Sequence, residues 1–390
     1  MSISAELDAE LRGSAFKEHH VLQLDGKGGL IGHPAQYRFL PKFGDCTVVP
    51  FGLCSFDNGD ILLLGASSTG KRPDFQGGEE TVAAISTDGG ESWSEYQSIG
   101  FGRPVMTTYL GGGSVSYCDG GLMTEDGSMI CYSHDYGRTW GERIEVQKAP
   151  DGKNFSPEGS PLVDRDENGN AVCIGWTGQT FPDGWSFDKA IGGCVRWSDD
   201  RGHTWRDHQW PEEWIWPDTF EGKTFERGCG EGAMIRAANG NIVAAIRTDM
   251  LAQFIGYHYD NFEGTGISIS KDDGKTWSPV EHLLEAGRMH ANLVRLPNDD
   301  LVMTVIRRLD MRDGRHASYR RGCDALISHD NGESWNVDRM YILDEWPHDD
   351  PDLWYGCVNG HLYSVSLGDG SILTAYGHYA YGGGMIKWRP

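Results

Sequence analysis

The carboxylates that recur most regularly in this chain are Asp88, Asp135, Asp200, Asp272 and Asp330. Each sits in the same octet, Ser-x-Asp-x-Gly-x-(Ser/Thr)-Trp, at Ser86–Trp93, Ser133–Trp140, Ser198–Trp205, Ser270–Trp277 and Ser328–Trp335. A repeated Asp suits two kinds of chemistry, proton transfer and calcium binding. A calcium loop brings more carboxylates per copy than one. A tight turn, by contrast, accounts for every residue of the octet. The Asp accepts backbone N–H groups, the Gly takes a positive φ, and the hydroxyls tie the loop to itself. The Trp buries a large apolar surface and keeps an N–H donor for the turn. The octets therefore read as structural turns, and the chemistry has to be sought elsewhere.

Turns of this kind need strands on either side, and the strands are legible. Asn58-Gly59, Asp126-Gly127, Asn168-Gly169, Asn239-Gly240, Asn298-Asp299 and Asp369-Gly370 each follow one apolar run and precede another. The second runs begin at Ile61, Ser128, Ala171, Ile242, Leu301 and Ile372. With the octet and a final edge strand, each repeat makes a four-stranded antiparallel unit, and the sixth lacks its octet. A ring of such units leaves only short edges exposed. The expectation is an all-β, six-bladed β-propeller forming one domain over residues 1–390, with an N-terminal segment at 1–44 and the blades at 45–390. Glu18–Leu24 alternates in polarity and is expected to supply the strand that closes the last blade. A seventh unit hidden between Trp205 and Phe225 is the alternative. Only Ser2 to Arg12 reads as a short helix.

Composition sets outer limits. The chain has 390 residues, 54 of them Gly and 14 Trp, which fits many short strands and tight turns. Its net charge of −23 argues against nucleic acid or an anionic membrane as partner. A local group of arginines could still hold a small anion. No secretory signal and no membrane span is visible, so a cytoplasmic location is expected. The nine cysteines are scattered without a Cys-x-x-Cys pair, which predicts free thiols and suggests neither a zinc site nor a disulfide framework. No cofactor is called for.

Repeated Asp octets in this blade context resemble the sialidase (neuraminidase) superfamily, the Asp-box or BNR-repeat proteins, from about Asp45 to the C-terminus. The resemblance implies that the boxes lie on the rim opposite the active site and that chemistry comes from the central ends of the innermost strands. Within Cys229–Arg247, Glu231 and Arg247 take the places of the Glu that assists the nucleophile and an Arg that clamps the substrate carboxylate. Physical reasons agree, since a Glu in an apolar strand is costly to bury and an Arg fork fits a planar carboxylate. Arg320 or Arg321, just ahead of the fifth box, corresponds to a second carboxylate-binding Arg. Asp74, beside Arg72, falls where sialidases carry their general acid.

Two departures stand out. Where the family begins with Arg-Ile-Pro, this chain has Thr47-Val48-Val49-Pro50-Phe51, so Arg38, Arg72 or Arg103 would have to substitute. Where the family has its nucleophilic Tyr, counting back from Asp369-Gly370 lands on His361, with Tyr363 two residues along on the same face. The same count places Asp119, Glu158 and His290 at the centre with Glu231. The implied activity is hydrolysis of a terminal acidic or deoxy sugar of an oligosaccharide, not a plain N-acetylneuraminidase. Asp74 would be the acid, and Glu231, directly or through Tyr363, the base or nucleophile. One alternative is β-elimination next to a uronic acid, with His290 or His361 moving the C5 proton. The other is a propeller that binds sugar without catalysis.

Overall fold

The turn dipeptides do what their residue types require. Gly59, Gly127, Gly169, Gly240 and Gly370 all hold positive φ, and Asp299 adopts φ 72° where the turn lacks its glycine. A computed structural model describes residues 15–68, 80–119, 127–180, 190, 192–220, 222–249, 263–312, 315–318, 321–346, 362–378 and 382–390. Among these residues the fold is all-β, with 3-10 turns only at Glu212–Trp214 and Val337–Arg339.

The first sheet runs Thr47–Ser55, Ile61–Ser68, Glu80–Ser86, Gln97–Phe101, and the second Pro104–Gly111, Ser114–Asp119, Met129–Ser133, Glu142–Glu145. In the third, Ser156–Pro157 and Leu162–Arg165 share the inner edge, followed by Ala171–Gln179, Gly193–Ser198 and Arg206–Gln209. The fourth runs Ile215–Phe220, Lys223–Arg236, Ile242–Thr248, Gly264–Ser270, Glu281–Leu284. The stretch considered for a seventh unit is thus divided between two sheets. Arg206–Gln209 ends the third, and Ile215–Phe220 forms a hairpin with the front of the long strand Lys223–Arg236.

The expected fifth and sixth sheets are not separate. They are halves of one nine-stranded sheet, ordered Arg288–Arg295, Leu301–Arg307, Arg321–Ser328, Tyr341–Trp346, Lys17–Leu24, Leu30–Phe39, Gly382–Trp388, Ile372–His378, Leu362–Ser366. The N-terminal segment does close the chain, but with a different strand. Gln36–Phe39 pair with Gly384–Lys387 and take the position expected of Glu18–Leu24. The latter strand lies one place further out, where Leu22 and Gln23 pair with Ile342 and Tyr341. The reason is connectivity, because the tight turn at Gly26–Gly29 makes both strands one hairpin whose two edges each find a partner. Ser2–Arg12 lies outside the described residues.

The core is a series of apolar layers, each between consecutive sheets. Leu62 and Leu64 meet Val115 and Tyr117; Ile130 and Tyr132 meet Trp176 and Trp205; Val195 and Trp197 meet Met234 and Ile246. Val243 and Ala245 then meet Leu293 and Met303, and Val302 and Ile306 meet Ile372 and Tyr376. The last layer returns to the start, with Leu373 and Met385 packed on Val49, Phe51 and Leu63. The innermost strands follow the same circuit, and Leu362–Ser366 packs against Thr47–Ser55.

The octets lock this circuit. In each, the Asp carboxylate accepts the backbone N–H and the hydroxyl of the Ser/Thr four residues on, as Asp135 does from Thr139 N at 2.8 Å and Thr139 Oγ1 at 2.6 Å. In four of the five, those of Trp93, Trp140, Trp205 and Trp335, the Trp Nε1 also donates to the carbonyl of the octet Gly, at 3.0 Å from Trp140 to Gly137. The octet glycine then rests on the preceding sheet. A Cβ on Gly332 would lie 2.5 Å from Val243 Cγ2, and one on Gly90, in the first sheet, 3.2 Å from Leu373 Cδ2 in the last. Positive φ and this close approach both demand glycine there.

Candidate functional site

The inner strands break register at corresponding places, between Pro50 and Gly52, Val105 and Thr108, Cys229 and Gly232, and Met289 and Asn292. A bulge bends its strand and re-aims the extra side chain. Phe51, Met106, Glu231 and His290 sit on these bulges, and His290 and Met106 adopt left-handed backbone with φ of 51° and 53°. Such backbone costs energy for a residue with a Cβ, and it persists where the surroundings fix it.

Glu231 and His290 turn toward each other and toward Arg247. Arg247 Nη1 donates to Glu231 Oε2 at 2.8 Å, and His290 Nδ1 lies 2.7 Å from the same oxygen. Glu263 holds the other side of the guanidinium, at 3.1 Å from Nη2 and 2.6 Å from Nε, and Asp249 lies 3.5 Å from Nε. His290 Nε2 is 3.3 Å from both Arg247 Nη1 and Arg308 Nη2. A guanidinium only donates, so Nε2 is the acceptor and Nδ1 carries the proton given to Glu231. Burial drives the His290 pKa down to about 4 against the pull of Glu231, with Arg247 and Arg308 lowering it further. The ring is a neutral bridge between two cations and a carboxylate.

A small cavity opens beside this group, lined by Gly159, Glu231, His290, Leu362 and Tyr363. Its walls come from the third and fourth sheets and from both halves of the joined sheet. Glu158, next to Gly159, is buried at 1% exposure. Burial, then the charge of Glu231, raises its carboxyl to about 8, while Arg103 and Arg247 pull the other way. At neutral pH Glu158 holds a proton. Arg103 itself lies over the Phe51 ring, 5.6 Å from the centroid.

Glu158, Glu231, Arg247, His290 and Tyr363 therefore converge from distant parts of the sequence. Asp119 does not join them in the described contacts; its carboxylate accepts the Met129 N–H at the end of its own sheet, and burial raises its pKa. Arg321 is fully buried at the start of its strand, opposite Trp346. Arg38 lies on the box side, with Nη1 donating to the Glu91 carbonyl at 3.1 Å. Asp74, Arg72, Arg320 and His361 lie outside the described residues.

Sequence reasoning missed Glu263 and Arg308. Arg308 carried a usable signal, since it follows the apolar strand Leu301–Arg307 much as Arg247 ends Ile242–Thr248. Glu263 carried none, because a single acid ahead of Gly264–Ser270 matches no repeated position. Among the described residues no group of His, Cys, Asp and Glu is arranged to hold a metal ion, and the cysteines are free thiols, most of them buried. No helix among these residues is long and apolar enough to cross a membrane.

The family model for the BNR/Asp-box repeat matches residues 84–95, the first octet and its flanks. None of the curated proteins matches this chain. Among solved structures, a protein of unknown function from Dyadobacter fermentans superimposes with a TM-score of 0.64 at 17% identity, covering 90% of this chain and 98% of its own. A Hadza microbial sialidase, Hz136, gives 0.58 at 15% identity, over 87% of this chain and 65% of that one. The intramolecular trans-sialidase of Ruminococcus gnavus, solved with oseltamivir carboxylate, gives 0.53 at 13%, over 87% and 94%. This chain thus carries the BNR/Asp-box repeat and shares the fold of sialidases of known structure.

Proposed function

We propose that this protein is a glycoside hydrolase built on a six-bladed β-propeller, with its active site where the inner strands meet. The closed circuit of apolar layers supports the propeller reading, the joined sheet being two blades linked by the N-terminal hairpin. The observation that carries the catalytic reading is the meeting of Glu231, His290 and Tyr363 at one cavity, from strands that are unconnected neighbours only in a ring.

The roles follow from the geometry. Arg247 Nη1 donates to Glu231 Oε2 and His290 Nδ1 lies against the same oxygen, which orients that carboxylate as nucleophile, or as base for Tyr363. The leaving oxygen needs a proton. Asp74 is the acid that the family resemblance suggests, and Glu158 is the described carboxyl that keeps its proton at neutral pH. The elimination reading asks His290 or His361 to accept a proton, and of the two only His290 is among the described residues. Its only lone pair faces two guanidinium groups, so His290 is better suited to positioning Glu231 than to attacking a C–H bond.

Release of aryl alcohol from a panel of neutral and acidic aryl glycosides tests the reading. Turnover is expected in the wild type, with loss in Glu231→Gln at unchanged melting temperature. Oligosaccharide cleavage should add one reducing end per cut without an ultraviolet-absorbing unsaturated product. Turnover unaffected by Glu231→Gln, or appearance of the unsaturated product, would overturn it.

A further inference from the structure

We propose that the central site selects a neutral sugar, one without a carboxylate on or beside the ring. The inference deepens the glycosidase reading and rests on it. Of the acidic or deoxy sugar that the resemblance implies, it excludes the acidic one, and the reason is the state of the described arginines at the site.

An arginine that clamps a substrate carboxylate must present two N–H groups in parallel to the cavity. Arg247 does not keep such an edge clear. Nη1 is engaged by Glu231, while Nη2 and Nε face Glu263, with Asp249 also beside Nε. An incoming carboxylate would have to displace one of these acids. Glu263 is 1% exposed, so losing its partner would leave a buried charge uncompensated. Arg308 is turned to His290 Nε2.

The local charge balance agrees. Among the described residues, Arg247 and Arg308 meet Glu231, Glu263 and Asp249, directly or through His290. In this described group the acids outnumber the arginines, three to two, and His290 adds no positive charge. Around it lies a protein of net charge −23. Neither the local nor the long-range field attracts an anion. Sugar hydroxyls are donors, and a site rich in carboxylate acceptors suits them, with the Tyr363 ring offering an apolar wall.

Matched substrate pairs differing only in CH₂OH against COO⁻ test this directly. The probes are 4-nitrophenyl galactoside with galacturonide and glucoside with glucuronide, in both anomers, beside an aryl neuraminide and aryl glycosides of neutral deoxyhexoses and pentoses. Neutral members are expected to exceed acidic ones in kcat/KM by about 100-fold or more. Glu263→Gln, which removes one of the anions on Arg247, should narrow that gap. An acidic substrate turned over as well as, or better than, its neutral partner would overturn the inference while leaving the glycosidase standing. Should no glycoside be turned over, the glycosidase reading fails instead. Ligand-observed NMR with galactose, fucose and arabinose against galacturonic and N-acetylneuraminic acids then decides the sugar class. Binding of neutral sugars alone upholds it, and binding of the acids or of no sugar overturns it.

Discussion

The box rim and the strand-end centre are both rich in carboxylates, but their acids are held in opposite ways. At the rim, burial alone would raise Asp88, Asp135, Asp200 and Asp330, yet hydrogen bonds from nearby Ser and Thr outweigh it and hold all of them below the ordinary Asp range. Each satisfies its partners within its own octet. At the centre, burial wins for Glu158, and Glu231 is oriented by residues 16 and 59 positions away in sequence. Repetition marks carboxylates that serve the turn. The acids gathered at the centre belong to no repeated motif, and each comes from a different stretch of chain.

The sharpest way to break this contrast is to swap an acid for its amide in each region. Glu231→Gln removes the charge that Arg247 and His290 orient, and kcat/KM is expected to fall by about a thousandfold or more. Asp135→Asn in the second octet should leave kcat/KM at 25 °C unchanged. Equal losses of activity in steady-state assays of the two variants would mean that rim and centre are not functionally distinct.

That contrast also explains what the sequence made legible. The octets and the Asn-Gly turns are local signals in which one residue type answers one backbone need, so the all-β class and many of the strands could be read from them, though not that the last two sheets are joined. Glu231 and His290 were reachable because each lies eight residues before the Asn of its turn, Asn239 and Asn298, and that count lands on the same bulge of the inner strand, whereas Glu158 lies ten before Asn168, between two short strands and on no such bulge. The pairing of Gln36–Phe39 with Gly384–Lys387 was not legible, since Lys17–Leu24 has equal strand character and only tertiary partners choose between them. Nor was the occupation of Arg247 by Glu263. The resemblance supplied a role for the arginine, and only packing shows which acids already hold it.

A smaller effect, confined to stability, is expected at the rim. Asp135→Ala removes the acceptor for Ser133 Oγ, Thr139 N and Thr139 Oγ1 and should cost about 1–3 kcal/mol. Gly332→Ala forces a Cβ onto a backbone at φ 87° and to within 2.5 Å of Val243 Cγ2, with a loss of about 1–3 kcal/mol. Urea midpoints measure both. A Gly332→Ala protein as stable as wild type would refute the view that the octet glycine seats one sheet on the next.

The centre should in turn give the pH dependence. The Glu158 carboxyl rises from 4.5 to about 8 on folding, so the folded state keeps a proton that the unfolded chain releases. Its contribution is complete below the unfolded value and is lost as pH climbs through that window. His290 falls from 6.5 to about 4, so its contribution is present above 6.5 and is lost as pH drops toward 4. Glu158→Gln should therefore flatten the decline in stability on the alkaline side and leave the acid side unchanged. An identical urea-midpoint profile for variant and wild type between these limits would remove the proton from Glu158.

The smallest expected effect concerns salt. Both regions close their charges locally, the rim through hydroxyl and backbone donors and the centre through ion pairs. A neutral substrate approaching a buried cluster feels little long-range field, so kcat/KM should change by less than about twofold as the Debye length shrinks from about 30 Å to about 3 Å. An anionic substrate on this acidic protein would respond differently. Screening would relieve its repulsion from the surface and weaken its hold on Arg247 or Arg308, so kcat/KM and KM would both move with ionic strength. Initial rates on the preferred aryl glycoside across that range therefore read the charge of the binding step, independently of which sugar the panel selects.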